Sequence, residues 1–533
     1  MPYSKLMKRR LPTGIQDFAK IRKGNYVYAD KTACIHQLIT DSEGAFFLSR
    51  PRRFGKSLLC STLGAIFEGR RELFKGLAID SLEWEWKKHP VIRIDLNPGN
   101  YAGGIEILKE TIQNNLENSA TAFGLNLRGD MASSQFINLI RDAHLKYGER
   151  AAIIIDEYDK PLLSTIDMGD LREEIRMELK GFYSAIKSAD PHLKFVFLTG
   201  VTKFSHVSIF SDLNHLIDLT LDPDYASICG ITQEELETGF APEIESVLEK
   251  SGKGRKEYLE ELRRFYNGYR FSEEPLRVYN PFGLLKHFRK DGKFLSYWYD
   301  TGTPTFLIKL LASQNINILN LSDMQVGEND FHKYDIENMR AQPILYQSGY
   351  LTIKDYDEEF GLYTLDFPNA EVRSCFANSL LDHYMESSDE TAGSLSTALS
   401  QALLKGDIEG AINALRQFFA AIPYDIIKES ENYYETAVHL IFTMLGFKCR
   451  SEVRIAAGRI DTLVETKSFV YCFEFKVNKT ATEQNSEKAL AQIDSKKYLL
   501  PWEGSGKRLF KIGVGFDRDK HNIGDWKAAE ASG

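Results

Sequence analysis

Two groups of residues have types and spacings suited to phosphate chemistry. The first lies in "SRPRRFGKSLL", residues 49–59. Gly55 lets a backbone approach an anion closely. Lys56 can reach the β- and γ-phosphates of a nucleotide, and the Ser57 hydroxyl can ligate Mg²⁺. Arg52, Arg53, Phe54 and Leu58 complete the expected nucleotide-binding loop, the two arginines adding positive charge. Arg50 stands where such a loop usually has its first glycine, and Pro51 fixes φ beside it. Downstream, "AAIIIDEYD" (151–159) runs five apolar residues into Asp156 and Glu157. Unpaired charges at the end of a buried strand are costly, so these acids need partners. Asp156 fits as the outer-sphere holder of Mg²⁺ and Glu157 as the group that polarises the attacking water. Thr199, at the end of "FVFLT", fits a polar sensor of the γ-phosphate. A plain strand-end turn reads equally well there, and better at Thr202 and Lys203.

The second group is near the C-terminus. Asp461 interrupts the apolar run "GRIDTLVET", and Glu474 and Lys476 follow in "CFEFKV". Residues two apart on a strand project from the same face. Carboxylates gathered this way raise one another's pKa unless a cation joins them. A divalent metal with oxygen ligands, Mg²⁺ or Mn²⁺, suits that set.

The elements that must position these groups follow from periodicity. Through about residue 225 short β-branched runs alternate with helical patterns. Strands are expected at 45–49, 90–96, from 151 and at 194–200. Helices are expected at 56–69, 104–124, 134–148 and 171–189. Continuous apolar strands alternating with helices predict a doubly wound parallel α/β sheet. The first group then sits between a strand and a helix N-terminus, where unpaired N–H groups attract an anion. The acids sit at a strand's carboxyl end, facing the ligand crevice. The last part reads helix (431–447), strands (448–455, 458–466, 468–477), helix (483–500) and strand (509–517), a small α/β unit.

Between the two lies a helical stretch. Thr232 and Glu235 form a capping-box signature, and Asn280-Pro281 a cap with proline at the first helical position. This is the place of a lid, with Arg263, Arg264 and Arg270 available to reach a γ-phosphate. "YLTIKDY" and "GLYTLDF" alternate like a hairpin, expected as part of a winged-helix-like connector. "ESSDETAGSLSTALS" (386–400) reads as a linker. The expected organisation is 1–230 nucleotide-binding core, 231–300 lid, 301–400 connector and 420–525 small α/β domain.

Composition sets limits. The chain has 533 residues, 43% apolar and 26% charged, with a net charge of −9. That balance disfavours a uniformly basic nucleic-acid coat and leaves room for a local basic groove. Six cysteines are scattered without a CxxC pair, which fits a reducing compartment. The N-terminus lacks the apolar segment of a signal peptide, and no apolar run approaches a membrane span. A cytoplasmic protein without a membrane partner is expected.

"LPTGIQDFAKIRKGNYVYADKT", "SRPRRFGKSLL", "IIIDEYDKPL", "FLTGVTKFSHVSIFS", "VYNPFGLL" and "LYQSGYLTI" resemble the bacterial AAA-ATPase-like family whose members carry a C-terminal PD-(D/E)XK nuclease-like domain. The resemblance covers nearly the whole chain. It implies an ATPase whose arginine-rich phosphate loop, without the first glycine, is the family's usual form. It implies that Asp461 and Glu474 hold a metal that activates water against a phosphodiester, with Lys476 stabilising developing charge. Glu435 matches an extra acid near that metal, and Gln492 and Tyr498 match supporting residues. Arg459-Ile460-Asp461 stands where the family usually has Pro-Asp. Asp30 and Lys31 match a segment upstream of the loop, while by themselves they read as a helix cap and a surface lysine.

The expectation is ATP hydrolysis coupled to a metal-dependent DNA nuclease. The alternatives are a nucleotide-gated DNA-binding protein or a signalling ATPase whose nuclease-like domain is inactive. Homo-oligomerisation, and an arginine supplied by a neighbouring copy, stay open.

Overall fold

The structure, a computed structural model, describes residues 10–41, 44–203, 216–298, 321, 324–327, 341–385, 389–420, 431–445, 448–455, 458–478 and 485–531. The chain divides into two compact units. One is Met1–Thr301 with Asp323–Asn369, the other Gly302–Ser322 with Ala370–Gly533.

The first unit is built on five parallel strands: β1 (Ala45–Ser49), β2 (Val91–Asp95), β3 (Ala151–Asp156), β4 (Leu193–Gly200) and β5 (Leu216–Asp218). Their spatial order is β2-β3-β4-β1-β5. All five residues of β1 are buried, as are the first five of β3. This is why their sequences run apolar without alternation. Helices Lys56–Phe67, Ile105–Phe123, Ala132–Tyr147 and Gly169–Ser188 connect the strands. The doubly wound parallel sheet is therefore present. Because β4 lies between β1 and β3, the chain leaving β4 emerges between the phosphate loop and the acids.

Helices Gln233–Gly239, Ala241–Ser251, Arg255–Tyr266 and Pro281–Arg289 follow. They share an apolar core that includes Leu236, Phe240, Ile244, Tyr258, Leu262 and Leu284. The Thr232 hydroxyl accepts the Glu235 N–H, and Glu235 returns the bond to the Thr232 N–H. Asn280 Oδ1 accepts from the N–H groups of Phe282 and Gly283, with Pro281 between. Three strands complete the unit: β8 (Met324–Gly327), β9 (Thr352–Asp357) and β10 (Leu362–Asp366), after a small pair β6 (Ile231–Thr232) and β7 (Val278–Tyr279). Their order is β8-β10-β9, antiparallel, with helix Ala341–Ser348 between β8 and β9. That is the strand order of a winged helix. Of the connector expected over 301–400, residues 301–320, 322–323, 328–340 and 386–388 lie outside the described residues.

The second unit holds strands β11 (Lys448–Ile455), β12 (Gly458–Glu465), β13 (Phe469–Asn478), β14 (Arg508–Asp517) and β15 (Asn522–Ala531), adjacent in that order. β13 and β14 are parallel, joined through helix Ser486–Ser495, and the other pairs are antiparallel. Gly513 permits this crossover, since a Cβ there would lie 2.2 Å from the Ser486 carbonyl oxygen. One expectation is corrected. Residues 389–400 are not a linker but part of helix Asp389–Lys405. Small polar residues imitate a linker, yet Leu395, Leu399 and Leu403 recur every fourth residue and are buried, which is helical spacing. Among the described residues no helix is long and apolar enough to cross a membrane.

Candidate nucleotide and metal-ion sites

Helix Lys56–Phe67 begins at Gly55, whose φ of 96° is left-handed and whose position offers no side-chain cap. The first-turn N–H groups therefore stay available to a ligand. Lys56 is 4% exposed. Its ammonium donates to the carbonyls of Arg50 (3.0 Å) and Pro51 (3.3 Å) and lies 3.9 Å from Glu157 Oε1. Ser57 bonds the Asp156 carboxylate, which burial nevertheless pushes up to about 6. Lys56, Ser57, Asp156 and Glu157 are thus brought together at the carboxyl ends of β1 and β3. Glu157 sits at φ 53°, and a non-glycine residue in that region stores strain.

Arg50 has a different part from its neighbours. It is 0% exposed. Its guanidinium donates to the carbonyls of Ser49, Thr220 and Tyr225 and lies 4.2 Å over the Phe271 ring. Burial lowers its pKa. The left-handed positions of this loop are Arg53 (φ 67°) and Gly55, not residue 50. No glycine is needed at 50 because its backbone only extends the strand, its N–H reaching the Gly200 carbonyl. Arg53 lies 3.8 Å over Phe282. The Arg52 carbonyl accepts from Trp298 Nε1. Phe54 is buried edge-on to Tyr269 and Phe271.

Beside the loop lies a cleft. Val27, Tyr28, Leu58, Leu59, Ile231 and Leu285 are among its lining residues. Its apolar walls and its contact with Gly55 suit a nucleobase and sugar. The walls come from four separated segments, and of the lining residues the sequence pointed to Lys31, Phe54, Gly55 and Leu58. Asp30 accepts from Thr32 and Ala78, and Lys31, which lines the cleft, pairs with Glu235 at 2.6 Å.

Thr199 is fully buried and its hydroxyl donates to the Leu48 carbonyl across the β1–β4 pair. It does not present that hydroxyl to the loop. Thr202, just beyond β4, turns to Asp159 instead. Asp159 Oδ2 accepts from the N–H groups of Val201 and Thr202 and from the Thr202 hydroxyl. Asp159 is 0% exposed; burial, then Glu157, pushes it up to about 6. Its signal was visible, an acid three residues after Asp156, but its role depends on β4 lying alongside. Arg270 is nearly buried and holds the carbonyls of Ser272 and Glu274 in its own turn and of Lys354 on β9. Arg263 reaches Gln233.

In the second unit the ladder between β12 and β13 ends at Thr462↔Phe473. One step further the same register sets Asp461 opposite Glu474. There Asp461 Oδ2 accepts the Phe475 N–H at 2.9 Å. The carboxylate replaces the strand partner that Phe475 has just lost. Glu474 is 0% exposed and meets the Lys476 ammonium at 2.9 Å, which also donates to the Phe475 carbonyl. Both carboxylates act on Cys472, whose thiol burial already pushes far up. Gln492 donates to the Tyr498 hydroxyl at 3.3 Å, and that hydroxyl lies against Gly458 at the start of β12. Glu435 lies on helix Glu431–Met444, its side chain outside what is described. Among the described residues no group of three ligating side chains forms. Two hard oxygen donors at opposed positions, one fully buried, fit a divalent cation completed by waters.

A sheet-borne phosphate loop with acids two strands away defines a P-loop NTPase fold, and the C-terminal sheet a nuclease-like one. Comparison with known proteins agrees. Residues 12–210 match the predicted AAA-ATPase family model and residues 429–526 the PD-(D/E)XK nuclease superfamily. The chain is 36% identical over 534 aligned residues to "Uncharacterized protein in vnfD 5'region" of Azotobacter chroococcum mcd 1, covering 97% of this chain and 98% of that protein. The chain belongs to the AAA-ATPase-like family with a C-terminal PD-(D/E)XK nuclease superfamily domain.

Proposed function

We propose that the protein hydrolyses ATP and uses the nucleotide cycle to govern a metal-dependent phosphodiesterase acting on DNA. The observation that supports this best is the opposed Asp461–Glu474 pair with Lys476 beside it, on a chain that also assembles Lys56, Ser57, Asp156 and Glu157. In the first unit Lys56 exchanges its two loop carbonyls for phosphate oxygens. Ser57 and Asp156 would hold Mg²⁺, and Glu157 would orient the attacking water. In the second, Asp461 and Glu474 would hold Mg²⁺ or Mn²⁺, whose chemistry would be to activate water. Lys476 neutralises charge that develops on the phosphate.

The test is cleavage of labelled linear, circular and single-stranded DNA with Mg²⁺ or Mn²⁺, with and without ATP. Wild type is expected to cut only with metal, at a rate that responds to ATP. Lys56→Ala is expected to lose ATP hydrolysis and that response while keeping metal-dependent cutting. Equal cutting with and without ATP would sink the coupling. DNA binding without cutting would favour the nucleotide-gated binding protein, and nucleotide-driven assembly without DNA affinity the signalling ATPase.

A pH dependence follows from Asp156. Its carboxyl is raised to about 6, so below that pH the metal-free form is protonated and must lose a proton to hold Mg²⁺. The Mg²⁺ concentration giving half-maximal ATP turnover is expected to rise about tenfold per unit as pH falls below 6. A flat profile between about pH 5 and 7 would remove Asp156 from the metal site.

A further inference from the structure

Helix Ala341–Ser348 occupies the place of the recognition helix in its winged-helix-like unit. A helix that reads nucleic acid presents side chains to a groove. Here Ile344, Leu345, Tyr346 and Gln347 are all buried, at 0–4% exposure. The hairpin tip that follows is Asp357-Glu358-Glu359-Phe360, acidic and thus ill-suited to a phosphate backbone.

What the helix and the turn after it touch is the nucleotide site, within the same compact unit. Gly349 has φ 89°, and a Cβ there would lie 2.7 Å from the Pro51 Cβ. Backbone therefore packs directly on the phosphate loop. Gln347 Oε1 accepts the Lys203 N–H at 3.1 Å. Lys203 follows Thr202, which is held by Asp159 through its N–H and hydroxyl and by the Tyr158 hydroxyl through its carbonyl. The stretch from Val201 to Lys203 is gripped by the acid loop on one side and by Gln347 on the other. The remaining Asp159 oxygen, Oδ1, is buried with no hydrogen-bond partner among the described residues. An unsatisfied buried acceptor there carries a desolvation cost. Trp298, which donates to the Arg52 carbonyl, lies edge-on to Tyr350 at 5.2 Å.

We propose that Gln347 and Gly349 are positioning residues of the nucleotide site. Gln347 sets the segment after β4 against Asp159 and the acids, and Gly349 sets the phosphate loop through Pro51. The winged-helix-like unit thereby reads the nucleotide state and not a nucleic-acid groove. This rests on the nucleotide reading above.

The test uses the full chain and compares wild type with Gln347→Met, Gly349→Ala and, as a control at the exposed tip, Phe360→Ala. Gln347→Met keeps volume and removes the acceptor. It is expected to lower kcat about fivefold to tenfold while KM for ATP stays within about twofold. Gly349→Ala is expected to weaken binding of a fluorescent ATP analogue about tenfold or more, because a side chain there is strained and collides with Pro51. Phe360→Ala changes neither. Amide exchange of a peptide covering 344–352 is expected to slow with ATP and not with duplex DNA. Should Gly349→Ala fail to fold, Gln347→Met and the exchange data decide. Unchanged kinetics in Gln347→Met, or exchange at 344–352 indifferent to ATP in a wild type that hydrolyses it, would overturn the proposal. A wild type that binds no ATP would instead remove the nucleotide reading, and this inference with it.

Discussion

Asp461→Asn is expected to abolish metal-dependent cleavage and leave ATP hydrolysis unchanged. The substitution is chosen for its geometry. Asparagine keeps an oxygen that can accept the Phe475 N–H, now met by Asp461 Oδ2 at 2.9 Å. The end of the β12–β13 ladder should therefore survive. What disappears is one of the two opposed charges that would hold the cation. Losing several kcal/mol of transition-state stabilisation corresponds to about a thousandfold in rate. Cleavage measured with Mg²⁺ and Mn²⁺ beside a phosphate-release assay separates the two activities. Cutting at wild-type rate would move the metal away from Asp461. Loss of both activities, with an altered circular dichroism spectrum, would mean that the strand end had not survived.

Arg50→Gly, which would restore the ordinary first glycine of a phosphate loop, is expected to damage this one. The Arg50 guanidinium serves the carbonyls of Ser49, Thr220 and Tyr225 and stacks on Phe271, all in the interior. Glycine leaves these acceptors without their donor and leaves a void. Unsatisfied buried acceptors cost about 1–3 kcal/mol each. Removing a buried cation returns part of that, since its own desolvation is relieved. The net is expected to be a loss on the order of 3 kcal/mol or more, to which glycine's backbone freedom adds about 1. Denaturant unfolding with a probe on the first unit would show it, as would lost ATP binding. Arg50→Lys keeps a charge and loses the fork that spans three carbonyls, so it should fall between. A more stable Arg50→Gly with normal ATP binding would show that the arginine is dispensable.

Much of this was legible in the residues. The strand at 448–455 and the order helix, three strands, helix, strand over 431–517 were readable in the residues, while the final strand Asn522–Ala531 was not expected. The phosphate loop and the Asp156–Glu157 turn were readable because a buried strand ending in charge needs a reason. The misreadings also have physical causes. Residues 389–400 looked like a linker because composition hid the spacing of Leu395, Leu399 and Leu403. Thr199 looked like a ligand-facing hydroxyl because its strand neighbour could not be known; β1 lies beside β4 and its Leu48 carbonyl takes the hydroxyl. Arg50 looked like a departure from a rule. Its side chain reaches carbonyls 170 and 175 residues away, and no local pattern encodes such partners.

The sequence by itself determined the element types, the strand ends where charge collects and the residue types able to handle phosphate. Those are local properties: apolar period, turn chemistry and the expense of a buried charge. Only the tertiary structure decided which of those residues meet. It placed β4 between β1 and β3, so that the Thr199 hydroxyl is taken by Leu48 of β1 and the Thr202 hydroxyl by Asp159 beyond β3. It set Asp461 opposite Glu474 by register, and it buried Tyr346, Gln347 and Gly349 against the nucleotide site. Such pairings depend on sheet order and on packing between distant segments, which the spacing of residues along the chain does not carry.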